Sequence, residues 1–341
     1  MLRYAIDHGV NYLDLGYLYN QGQREDLTRL IGRVLQDGYR EKIRIAASFP
    51  SWLISSTLDF ERYLDTQLRL LQIDKLDFFL LAGLNRESWP GLPVRDVLRR
   101  AEVAMADGRL SKLGFSFHDD FQTLRLILEA YDNWTLGKFQ YSYMDIDHHP
   151  GIGGLKYAAD KGLAVVIAEP LKVGRLAGEL PDSVARIWAS ALPKRSPAEW
   201  GLRWVWNHPE VSTMVSDMST IKEVMENITL ADSVITDRLT VTEELLINRV
   251  RDAYRHLRPI PCTACRGCMP CPQNIDVPRI FELYNDAIMY GNIKIPQSIY
   301  RDEGHGIDNC NECGLCVKAC GRRIIITDWL RTARKLLAGE K

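Results

Sequence analysis

The first 261 residues of this 341-residue chain contain no cysteine. Neither a disulfide framework nor a thiol site can lie in that stretch. Charge of one sign is also lacking: 43 Lys and Arg stand against 44 Asp and Glu, a net charge of -1. That balance provides no electrostatic footprint for nucleic acid or an anionic membrane. No run of about 18 apolar residues occurs, so no membrane span is expected. The opening MLRYAIDHGV mixes acid and base without an apolar core and does not read as an export signal. No G-x-G-x-x-G follows a strand-like run, which counts against a dinucleotide-binding doubly wound domain. What is present is a 46% hydrophobic chain, long enough for one large domain plus an appendage.

All eight cysteines fall between Cys262 and Cys320. They form two quadruplets, Cys262, Cys265, Cys268, Cys271 and Cys310, Cys313, Cys316, Cys320. Three thiols in consecutive C-x2-C steps grip three corners of a cubane, and a distant fourth closes it. A disulfide framework suits small exported chains. Zinc more often takes two C-x2-C pairs with a longer stretch between them. The spacing therefore points to two [4Fe–4S] clusters, with a crossed fourth ligand as in bacterial ferredoxins. One cluster would use Cys262, Cys265, Cys268 and Cys320, the other Cys310, Cys313, Cys316 and Cys271. The first run is one residue short before its fourth Cys, and Gly321 stands where that pattern has Pro, so the crossing is an inference.

Residues 1–236 alternate short apolar runs with amphipathic stretches. Candidate strands are 12–15, 43–48, 77–82, 112–117, 138–143, 164–168 and 211–215. Candidate helices are 24–35, 60–71, 94–106, 121–131, 154–160 and 198–206. Continuously apolar strands between helices argue for a parallel sheet covered on its outer face. At this length the leading architecture is an α/β (β/α)8 barrel lacking its first strand, followed by a small α-rich ferredoxin-like dicluster domain. The chain opens inside a helix, and a closed barrel would want one more strand before Met1. The expected domains are a barrel over 1–236, a connecting helix over 237–259 opened by a Thr240/Glu243 capping box, and the dicluster domain over 260–341.

The runs HGVNYLDLGYLYNQGQRE, GRLSKLGFSFHDD and GLAVVIAEPLKVGRL, with KRSPAEWGLRWVWNHPEV, resemble the aldo/keto reductase superfamily. The tail PCTACRGCMPCP…CNECGLCVKAC resembles the branch with a C-terminal dicluster ferredoxin-type domain. The resemblance implies NAD(P)H at the C-terminal ends of the strands and an Asp, Tyr, Lys, His tetrad. Asp14 and Tyr19 match the first two; Ser48 and Ala82 stand at the Lys and His positions. A free phenol has a pKa near 10, and a nearby cation is what lowers it. Losing about three pKa units of tuning costs roughly 4 kcal/mol, about a thousandfold in rate. Ordinary NADPH-dependent carbonyl reduction is therefore expected to be weak or absent. His118, at a strand end, is a candidate replacement proton donor, and Lys138 a candidate cation. By the same resemblance Ser116, Lys172, Gly174, Ser219, Thr220, Lys222, Glu226 and Asn227 would bind the nucleotide, with Ser142 at an Asn position. A Ser/Thr before a helix is more usually just an N-cap.

Hydride moves two electrons together, whereas a cluster passes one. NAD(P)H or a flavin is thus the candidate cofactor beside the clusters. Expected is an iron–sulfur oxidoreductase passing electrons to or from a barrel-bound substrate or cofactor, in the cytoplasm. Its partners would be a small-molecule substrate or a redox-partner protein. A non-catalytic electron-transfer or scaffold subunit, and an active reductase with structural clusters, are the alternatives. His148 and His149 read as a solvated turn, Trp200, Trp204 and Trp206 as core, and the tail RTARKLLAGEK as a solvated helix.

Overall fold

The computed structural model describes residues 1–17, 21–91, 94–147, 150–234, 238–304 and 306–339. The chain divides into two compact units, Met1–Val173 with Gly201–Leu239, and Gly174–Trp200 with Thr240–Lys341.

Seven strands build the first unit: β1 Tyr12–Asp14, β2 Arg44–Pro50, β3 Leu76–Leu84, β4 Leu110–Phe117, β5 Leu136–Gln140, β6 Ala164–Ala168 and β7 Val211–Met214. They form one sheet in sequence order, every neighbouring pair parallel. The expected seven strands are all present, with β5 beginning two residues earlier than its apolar run suggested. Successive strands are joined through helices, among them Thr57–Leu71, whose capping box uses Ser56 and Asp59. Phe79, Leu113, Phe115, Phe139, Val165 and Ile167 are completely buried on the helix-covered face. The opposite face is also dry: Ala46, Leu80, Leu136 and Val166, from β2, β3, β5 and β6, make one buried cluster. In a flat sheet β1 and β5 would lie roughly 19 Å apart, four strand spacings. Instead Lys138 of β5 meets Asp14 of β1 at 2.8 Å. The sheet therefore curls around its inner face, as the seven strands of a (β/α) barrel do. Two local devices hold it. Gly32 lets its helix approach Leu71, whose carbonyl oxygen a Cβ there would meet at 2.6 Å. At the N-terminal end of β3, buried Asp77 accepts from Arg40 (2.8 Å), Arg44 (3.1 Å) and the Ile45 N–H (2.9 Å).

The second unit is helical. Val241–His256 opens with the Thr240/Glu243 box, and Arg195 pairs with the same Glu243. Val277–Met289, Lys294–Glu303, Leu315–Ala319 and Ile326–Leu337 follow. The last of these departs from the solvated helix expected of the tail. Ile326, Leu330, Ala333 and Leu337 recur on one face and are buried in the core with Ile280, Phe281 and Ile307. Cys262, Cys268, Cys271, Cys310, Cys316 and Cys320 pack against that core. Asn285 pins the chain ahead of the first cysteine run, donating to the Ile260 carbonyl (3.0 Å) and accepting from its N–H (2.9 Å). Among the described residues no helix is long and apolar enough to cross a membrane.

Candidate functional site

The polar centre of the barrel unit lies near the C-terminal ends of its strands. Asp14 ends β1. Gly16, at φ +58°, turns the chain so that its N–H reaches back to the Asp14 carboxylate at 2.7 Å. The other carboxylate oxygen accepts from Lys138 Nζ at 2.8 Å, and Ser48 Oγ lies 3.5 Å from the same nitrogen. Only 6% of the Asp14 side chain and 13% of the Lys138 side chain are exposed. Lys138 thus faces the barrel interior, which strand alternation had left open. The fold brings an ammonium from β5 to the neighbourhood where position 48 of β2 has only a hydroxyl. Ala82, buried on β3, has no proton to offer.

The other expected barrel residues are dispersed. Tyr19, His148 and His149 lie outside the described residues. His118 follows β4 and is exposed, its backbone N–H donating to the Leu84 carbonyl at 3.3 Å. Ser116 is buried and accepts from the Gly83 N–H at 2.9 Å, tying β4 to β3. Gly83, at φ +70°, leaves room for the Trp52 ring, which a Cβ would meet at 2.5 Å. Tyr12 also belongs to the interior cluster, but burial first, and then Asp14, pushes its phenol above the ordinary tyrosine range, away from proton donation.

The residues expected to hold nucleotide phosphates are engaged by carboxylates of this chain. Lys172 is buried, and its ammonium lies 2.8 Å from Asp145, which also accepts from Ser142 at 2.6 Å. Gly174 adopts φ +80° at the start of the second unit. Glu223 accepts from the Ser219 N–H (2.7 Å), the Thr220 N–H (3.0 Å) and the Ser219 hydroxyl (3.2 Å). Those bonds hold its carboxyl below the ordinary range. Lys222, 82% exposed, lies 3.7 Å from Glu226, and Asn227 is half-buried on the same helix. The Glu223 carboxylate thus occupies the two N–H groups just ahead of the helix Ile221–Val234, a capping arrangement that sets negative charge where a phosphate would approach.

The cysteine runs do fit iron–sulfur groups. All eight thiols are free. Left-handed residues interrupt the C-x2-C steps: Ala264 (φ 53°), Arg266 (φ 57°), Glu312 (φ 56°) and Gly314 (φ 71°). Such alternation turns successive N–H groups toward one concavity, a nest suited to anionic clusters. The Ala264 N–H already reaches Cys262 Sγ at 3.4 Å. Burial pushes the Cys268 thiol up to about 11, and Cys262 and Cys316 upward as well. Cys265 is held low, first by the Gly267 N–H and then by the Thr263 hydroxyl, with Arg322 adding to the effect. Thiols this close to apolar surroundings bind as thiolates only when a metal replaces the proton. Among the described residues no three His, Cys, Asp or Glu side chains converge on a single ion.

Residues 1–239 match the model of the aldo/keto reductase family, and residues 261–324 match that of a 4Fe-4S dicluster domain. No curated protein matches the chain. Among solved structures, aldo-keto reductase AKR11C1 from Bacillus halodurans in its holo form is 23% identical, with TM-score 0.59 over 73% of this chain and 84% of that one. An aldo-keto reductase from Klebsiella pneumoniae, solved in complex with NADPH, is 24% identical, with TM-score 0.59 over 73% of this chain and 83% of that one. At those identities the likeness speaks for the fold, while the family rests on the match over residues 1–239: the chain belongs to the aldo/keto reductase family and carries a C-terminal 4Fe-4S dicluster domain.

Proposed function

We propose that the protein is an iron–sulfur oxidoreductase of aldo/keto reductase type, whose cysteine runs hold two [4Fe–4S] clusters and whose barrel binds the group that exchanges electrons with them. The observation that carries this reading is the set of eight free thiols in two runs whose C-x2-C steps carry left-handed residues. Bound there, the clusters supply one-electron transfer.

In the barrel, Lys138 supplies the cation that position 48 lacks. Its ammonium pairs with the Asp14 carboxylate at 2.8 Å and places a positive charge beside any bound carbonyl or carboxylate. Position 82 offers only the methyl group of Ala82 in place of an imidazole. The engaged carboxylates at Glu223 and Asp145 favour a barrel that works without nicotinamide. A flavin, or a substrate reduced one electron at a time, then takes that place, and the substrate is a small molecule. The reaction belongs to a reducing compartment such as the cytoplasm.

Anaerobic reconstitution tests the reading. About eight iron and eight sulfide per chain are expected, with a brown chromophore that dithionite bleaches. Zinc in place of iron would overturn it. NADPH with common aldehydes should give no turnover of the kind usual in the family, and rapid reduction would restore the nicotinamide reading.

A further inference from the structure

We propose that the surface around the two cysteine runs docks a small acidic electron-carrier protein. The inference rests on the iron–sulfur reading and adds a partner of stated chemistry.

The whole chain is nearly neutral, yet residues 310–339 contain six basic and two acidic residues. Both acids are already held: Arg331 binds Glu312 at 2.7 Å and Asp328 at 3.2 Å. Lys318, Arg322 and Arg323 are exposed and have no carboxylate partner among the described residues, and the same holds for Arg258 just before the first run. These cations flank the thiols. Lys318 lies between Cys316 and Cys320. A turn closed by the Arg323 N–H donating to the Cys320 carbonyl (3.0 Å) sets Arg322 and Arg323 beside the last ligand. Arg258 and Arg322 are near enough for their charges to act on Cys262 and Cys265.

Two further features suit a protein partner. Leu315, 52% exposed, and Ile325, 58% exposed, set aliphatic surface among the cations. Cys265 and Cys313 are exposed, so each run reaches the surface where an electron would cross. Exposed aliphatic side chains close in sequence to unpaired cations suit a transient protein interface, and complementary charge speeds encounter. Aliphatic rather than aromatic side chains between the cations suit a protein better than stacked bases. The exchange balances simply: the carrier loses one electron as a cluster gains one, or the reverse.

The test uses the full chain, reconstituted anaerobically, titrated calorimetrically with a small acidic bacterial-type ferredoxin. Binding should weaken at least tenfold between about 20 and about 200 mM NaCl, as screening shortens the reach of the charges. K318E/R322E/R323E should weaken it tenfold or more at low salt, with iron content and visible spectrum unchanged. Lys161→Glu, an exposed change on the barrel unit, should leave binding unaltered. Should the charge-reversed protein load poorly, K318Q/R322Q/R323Q should show a smaller loss of the same kind. Iron-loaded protein whose ferredoxin binding ignores these charges overturns this proposal alone, as does tighter binding of duplex DNA or tRNA. Failure to take up iron overturns the underlying reading and this proposal with it.

Discussion

The two units solve the same problem, polar atoms inside an apolar core, in opposite ways. In the barrel unit every buried charge at the site has a partner of opposite sign within the chain: Lys138 with Asp14, and Lys172 with Asp145. In the cluster unit six cysteines pack against the core, and burial pushes the Cys262, Cys268 and Cys316 thiols toward the protonated form. The barrel therefore carries its own electrostatic compensation. The cluster unit depends on a group from outside the chain.

The sharpest way to break that contrast is to withdraw iron. Chelation of the reconstituted protein, or Cys268→Ser, should release the helices of residues 261–337 to protease while the barrel unit stays resistant. Limited proteolysis followed by mass spectrometry reads this, and an iron-free cluster unit that stays resistant would erase the distinction. Next in size is Asp77→Ala, which leaves the Ile45 N–H without its acceptor and takes the counter-charge from Arg40, whose guanidinium keeps only the Ile43 and Lys75 carbonyls. A loss of about 3–5 kcal/mol is expected in urea unfolding, with no change in the site. Lys138→Met should cost about 3 kcal/mol, because Asp14 is left buried and uncompensated. D14N/K138M should recover most of that loss, and S48K/K138M should recover it by returning an ammonium from β2. A neutral K138M would show that the pair is idle. Smallest is Thr240→Ala, about 1 kcal/mol from the lost helix cap, read as a shift in the unfolding midpoint.

Much of this was legible from local pattern. Val94–Ala106 falls on the predicted boundaries, and the Thr240/Glu243 box opens its helix as its chemistry requires. The terminal helix departs from the solvated reading because the last eleven positions, with four basic residues, show only the end of an apolar stripe that begins earlier, at Ile326. Ser219 and Thr220 suit either a phosphate or an N-cap in sequence, and the structure gives their N–H groups to Glu223, three residues beyond Thr220, as in a capping box.

By itself the sequence determined the strand–helix alternation and the identity of the sulfur donors, because periodicity and spacing are properties of neighbours along the chain. Only the tertiary structure decided that Lys138 answers Asp14 across 124 residues, since that contact exists only once the sheet curls. It likewise decided which carboxylates sit on the cations and amides expected to hold phosphate. Charge pairing in a folded core depends on distance in space, which no local spacing encodes.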